Sequence, residues 1–244
     1  LWPNSSFIPA GNPDVEAMAR EQIARFTGGE QSEFLDMNSF ILWQASEALG
    51  GLLPEIAGML SSPSAEARKR ASGILRTVKA ENGREVVLTR AVCGVFKDGS
   101  DAGRAVAIEV VRRRPEIDRE EVVDAIVSAI GSVEAPATLD TMMRFVIPSM
   151  ADSGVTTVTL GTERLGRLEA TLQQKLAADG PTAAASAEWI GKFAKPSSES
   201  IGLLARTMSD PAKSKAARIA ARDALLHVRD RQEPAIDPLD PLTR

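Results

Sequence analysis

The sequence has no tyrosine, one cysteine and one histidine in 244 residues, and phenylalanine and tryptophan together make up only 4%. A lone cysteine excludes a disulfide within the chain, and with a lone histidine it excludes the Cys- and His-rich zinc sites. Strand-forming residues are scarce, whereas Ala, Leu, Arg and Glu abound, which points to an all-α fold. Long apolar runs are missing too. Spanning a bilayer takes about 18–20 apolar residues, and even "EVVLTRAVCGVF" is broken by Arg90. Positive charge is not in excess: 29 Lys and Arg against 33 Asp and Glu leave a net charge of −4, which speaks against nucleic acid as the main partner. What is present is ordinary for a folded chain, 43% apolar and 25% charged.

The chain opens "LWPNSSFIPAGNPD", without Met and without the basic and apolar regions of a leader. Residues 1–13 are expected to form an irregular arm. The missing Met leaves a preceding leader or anchor open, with a cytoplasmic location as the default expectation. Asn4-Ser5-Ser6 matches the glycosylation sequon, a pattern too common to carry weight.

Apolar residues repeat with helical spacing after two similar turns. Following "SSP", Ala67, Ala71, Ile74, Leu75 and Val78 fall on one face of a helix; following "SDP", Ala217, Ala221, Ala224, Leu225 and Val228 do the same. The template recurs from Gly103, Thr138, Ala183 and Ile41, giving intervals of 26, 36, 35, 45 and 34 residues between its first positions. Those are lengths of a helix pair. Pro63, Pro136, Pro181 and Pro211 punctuate the starts of four template helices. Partner helices are expected over 14–26, 52–60, 85–96, 119–130, 163–176 and 200–208, so each unit reads as a helical hairpin. A single hairpin cannot bury its apolar face, so neighbours must stack. Outside the pattern lie "MADSGVTTVTLGTE", expected as a long loop, and residues 229–244, a Pro-rich extended tail.

The residues Pro63, Arg68, Ala71 and Leu75, then Asp98, Arg104, Ala107 and Val111, then Asp210, Pro211, Arg218, Ala221 and Leu225 carry a family resemblance. They resemble the HEAT and armadillo-like α-solenoids, in particular bacterial HEAT repeats whose second helix opens Asp-Pro-x-x-x-Val-Arg-x-x-Ala-x-x-x-Leu. Leu42, Leu139 and Ala184 replace the arginine in the other units. The resemblance implies one HEAT-like domain over 14–228, a right-handed superhelix of about five or six stacked hairpins. In that setting Arg68, Arg104 and Arg218 are expected either to line a face that binds an acidic partner or to pair with carboxylates of adjacent repeats.

Other chemistry-bearing residues have plainer readings. His227 is expected at a helix end, Cys93 as a buried apolar filler, and Trp43 and Trp189 in the core or a groove. Trp2, in the arm, is a candidate docking aromatic. The basic clusters 68–70 and 112–114 have acids close by. Gly-rich stretches lack the Gly-Lys-Ser/Thr of a phosphate cradle. No catalytic residue, cofactor or metal is expected.

These readings favour a non-catalytic scaffold or adaptor that binds a protein or peptide, or a subunit of a larger assembly, with no membrane span in this chain. HEAT-like folds also include DNA glycosylases and bilin lyases. A glycosylase calls for a basic groove with aromatics, which the composition does not supply; a lyase needs only a pocket and a few polar groups.

Overall fold

The computed structural model describes residues 17, 20, 21, 52–78, 84–147 and 160–232. Among these the chain is all-helical, with ten α-helices and no strand. Trp2, Trp43, the template unit beginning at Ile41, most of the expected loop and the tail from residue 233 lie outside the described residues. Of the expected helix 14–26, Ala17, Arg20 and Glu21 are described, and all three are helical.

In chain order the helices are α1 (Leu53–Gly58), α2 (Ala65–Thr77), α3 (Arg84–Asp98), α4 (Asp101–Arg112) and α5 (Arg119–Ala129). They continue with α6 (Pro136–Val146), α7 (Thr162–Ala178), α8 (Ala183–Lys192), α9 (Ser198–Ser209) and α10 (Lys215–Gln232). The last helix runs past residue 228 to Gln232, so residues 229–232 belong to it rather than to an extended tail. Of the four prolines, only Pro136 is the first residue of its helix; Pro63, Pro181 and Pro211 stand in the turns before α2, α8 and α10.

Polar side chains start several of these helices. The Ser64, Ser100 and Ser214 hydroxyls accept the backbone N–H of Ala67, Gly103 and Ala217 at 3.3, 3.2 and 3.3 Å. Asp118 accepts from Glu120 and Glu121 at the start of α5. Each such cap satisfies donors that have no partner inside the helix, a contribution of about 1 kcal/mol. The three serines occupy one template position, three residues before its first apolar residue.

Burial follows the template. Ala67, Ala71, Ile74, Leu75 and Val78 are all buried, as are Gly103, Ala107, Val110 and Val111. Ala183, Ala187, Ile190 and Gly191 are buried, and so are Ala217, Ala221, Ala224 and Val228. Ala194 departs from the pattern and is exposed, while Leu225 and Phe145 are only partly covered.

The chain divides into two compact units. Among described residues the first holds 52–129 and 144–147, the second 130–143 and 160–232. In the first unit α1 packs on α3 and α3 on α5, while α2 packs on α4; α1 also meets α2, and α3 meets α4, within their hairpins. In the second, α7 packs on α9 and α8 on α10, with α7 on α8 and α9 on α10 inside the hairpins. First helices therefore meet first helices, and second helices meet second helices, in each unit. A Cβ on Gly191 would come within 2.7 Å of the Ala224 Cβ, so only glycine permits the close approach of α8 to α10.

Candidate functional site

The three template arginines sit one residue after the first apolar position, in the second turn of their helices. From there each guanidinium reaches back to the end of its own hairpin's first helix or to the turn. Arg104 donates from Nε to the Phe96 carbonyl at 2.9 Å, from Nη2 to the Lys97 carbonyl at 3.2 Å, and from Nη1 to Asp101 Oδ1 at 3.0 Å. Phe96 and Lys97 lie in the last turn of α3, where carbonyls have no partner within the helix and the dipole favours a cation. Arg218 Nε donates to the Met208 carbonyl, in the last turn of α9, at 3.3 Å. Arg68 Nη1 donates to the Ser62 and Pro63 carbonyls of the turn at 2.6 and 2.9 Å.

Each of the three arginines thus donates to carbonyls of its own hairpin, a contact that the sequence pattern did not specify. Arg104 is buried, with 4% of its surface exposed; Arg68 and Arg218 are partly exposed. Five N–H donors fixed in one plane let a single side chain serve several carbonyls at once, with less ordering cost than a lysine ammonium on its flexible stem.

Contacts between hairpins run through the turns. In the first unit the Ser100 N–H donates to Ser61 Oγ at 3.2 Å, and the Ser100 hydroxyl to the Ser61 carbonyl at 3.5 Å. A Cβ on Gly103 would lie 2.6 Å from Ser61 Oγ and 2.8 Å from the Leu60 carbonyl oxygen, so glycine is required there. In the second unit the matching turns meet through Asp179, whose carboxylate accepts from the Ser214 N–H at 2.8 Å and its hydroxyl at 2.9 Å. Lys213 Nζ donates to the Ala177 carbonyl at 2.6 Å. Asp179 has a left-handed backbone, φ 54°, a conformation aspartate tolerates better than most residues. The Ser214 backbone and hydroxyl hydrogen bonds, helped by the charge of Lys213, hold its carboxyl below the usual range against a small cost of burial.

First helices are joined as well. Glu169 on α7 accepts from the Ser197 N–H at 2.6 Å and from the buried Ser200 hydroxyl, at the N-terminus of α9, where a carboxylate is favoured by the dipole. Gln173 donates to the Ser200 hydroxyl at 2.8 Å. Arg231 donates to the Gly191 and Lys192 carbonyls, so a residue of α10 covers the C-terminus of α8.

The remaining candidates resolve individually. Cys93 is buried, and burial together with the negative charges of Glu121 and Asp118 pushes its thiol up to about 12, against the opposing charge of Lys97. It is protonated at neutral pH, which suits a core filler and not a nucleophile. His227 is exposed on α10, and its carbonyl accepts from Arg231 Nε. Trp189 is buried, with the Lys192 ammonium 4.2 Å from its ring centre. In the basic clusters Arg70 pairs with Glu66, Arg112 with Glu109 and Arg114 with Glu116, at 2.8, 3.2 and 2.6 Å. Arg114 is buried, and Arg119 lies over the Phe145 ring at 5.6 Å, its guanidinium destabilised by burial.

Among the described residues no group of three or more His, Cys, Asp or Glu is arranged to hold a metal, and no helix is long and apolar enough to cross a membrane. Ser61, Asp179 and Glu169 were not singled out by the sequence pattern. The repeated serine three residues before the first template position was a visible signal, and it marks the turns that meet. Compared with protein-family models, curated proteins and solved structures, the chain finds no match in any of the three.

Proposed function

We propose that the chain is a HEAT-like α-solenoid that acts as a non-catalytic scaffold or adaptor, binding a protein or peptide along the row of second helices. The observation that supports this reading is the pairing of equivalent helices, α2 with α4 and α8 with α10, alongside α1 with α3 and α7 with α9. Such pairing extends a surface by one hairpin at a time, and stacked hairpins serve extended partners. Because Arg68, Arg104 and Arg218 are occupied by their own hairpins, the partner is held by the outward residues of the second helices instead. A partner of this kind makes the chain one subunit of a larger assembly.

Affinity capture of the tagged chain from a native extract at moderate salt, after nuclease treatment, tests the reading. A protein recovered in fixed stoichiometry, and lost on charge reversal at the exposed Lys69 of α2 and Arg112 in the last turn of α4, is the expected outcome. Retention of nucleic acid or a small chromophore without a protein would overturn it.

A further inference from the structure

The outward face of α10 is ordered by charge. Ile219 and Leu226, seven residues apart, remain 41% and 42% exposed, although both are large and aliphatic. The opposite face, Ala217, Ala221, Ala224 and Val228, is buried, so these two look away from the unit. At about 100° per residue, Arg222 projects about 50° to one side of the line through Ile219 and Leu226, and Asp223 about 50° to the other. Both are exposed. Lys215 extends the basic edge and Asp230 the acidic one, and these are exposed as well. An apolar line with a basic edge on one side and an acidic edge on the other is its own complement.

We propose that this face is a self-association surface, on which α10 of a second copy of the chain packs parallel and in register. Apolar residues seven apart keep facing a partner helix when two helices wind around each other, and the charges that flank them set its direction. With the helices parallel, a two-fold axis running along them turns each basic edge onto the partner's acidic edge. Arg222 then faces the partner's Asp223, and symmetry repeats the pair. One residue of helix rise, about 1.5 Å, separates the two levels, well within the reach of an arginine. Antiparallel packing does the reverse, setting basic edge against basic and acidic against acidic, which like charges oppose.

Within one copy Arg222 already rests on Asp223, at 2.7 Å. That pair is solvent-exposed and contributes little alone, so it yields readily to an arrangement in which each carboxylate lies within reach of two guanidiniums, its own and the partner's. Association also takes Ile219 and Leu226 of both copies out of water. The helix has 18 residues. A pair of such helices, each about 27 Å long, falls at the small end of specific interfaces, so the dimer is weak and reversible. This inference uses α10 alone and does not depend on the partner reading above, whose test residues Lys69 and Arg112 lie on α2 and α4.

Sedimentation velocity of the full chain, over a range of about 5 to 500 μM, tests the proposal. A monomer–dimer equilibrium is expected within that range, and I219D/L226D should abolish it. R222E and D223K should each weaken it about tenfold, because each sets like charges on facing edges. An equimolar mixture of those two variants should associate again, as a mixed dimer. Under mild oxidation Ile219→Cys and Leu226→Cys should each form a disulfide with its own counterpart in the second copy, whereas antiparallel packing permits at most one of them to do so. All these positions are exposed, and an unchanged far-ultraviolet circular dichroism spectrum certifies the fold of each variant. The proposal is overturned if the unaltered chain sediments as a monomer throughout, if I219D/L226D leaves the dimer intact, or if R222E and D223K fail to associate when mixed. Closure at only one of the two cysteine positions overturns the parallel register.

Discussion

In the first unit consecutive turns meet through Ser61, Ser100 and the bare backbone at Gly103, all uncharged. In the second the equivalent turns meet through the Asp179 carboxylate, Ser214 and the Lys213 ammonium. The arginine that closes each hairpin differs in the same sense: Arg104 is buried and holds the Phe96 and Lys97 carbonyls and Asp101, whereas Arg218 is partly exposed and holds the Met208 carbonyl. One geometric problem, joining hairpin to hairpin at the turn, has a steric solution in one unit and an electrostatic one in the other. The two should respond to different perturbations.

The largest expected effect breaks the comparison at the arginines. Arg104→Ala removes a donor from the Phe96 and Lys97 carbonyls and the ion pair with Asp101, a loss of about 3 kcal/mol. Arg218→Ala, at a site open to solvent, should cost about 1 kcal/mol. Hydrogen exchange by mass spectrometry reads both, with faster exchange confined to the unit that carries the change; equal losses would contradict the distinction. Next comes the glycine. Gly103→Ala gains helix propensity but drives a methyl toward the Leu60 carbonyl, backbone that cannot swing aside, for a net loss of about 2 kcal/mol. Chemical denaturation of the variant checks this, and an unchanged midpoint would mean that the turns are further apart than described.

The smallest effect is a dependence on pH that separates the two turn contacts. The carboxyl of Asp179 is held below its ordinary value when folded, so its contribution is full above the unfolded value and fades as pH falls through the folded one. From about pH 4 downward, exchange at the Asp179 and Ser214 turns should quicken relative to the Ser61 and Ser100 turns. Asp179→Asn should abolish that difference while keeping a residue that tolerates the left-handed backbone.

The helices and their buried faces were legible in the sequence because a period of 3.6 residues is a local signal. Ala67, Ala71, Ile74 and Leu75 needed no partner to be recognised, and all are buried. The task of Arg104 was not legible, because it depends on which carbonyls of a neighbouring helix end lack partners. Nor were the pairs Ser61 with Ser100 and Asp179 with Ser214, which lie 39 and 35 residues apart and share no residue type at the second unit's acceptor. Arg114 stands eleven residues after Gly103, the position Val78 and Val228 fill in other units, and is buried in an ion pair with Glu116, which the apolar pattern could not foresee.

The claim beneath all of this is that matching turns of consecutive hairpins touch in both units. Paired cysteines test it most directly: Ser61→Cys with Ser100→Cys in one chain, and Asp179→Cys with Ser214→Cys in another, the native Cys93 being buried and protonated. Under mild oxidation each pair should close an intramolecular disulfide that proteolysis and mass spectrometry can locate. Failure of either pair to close in a folded chain would contradict the account.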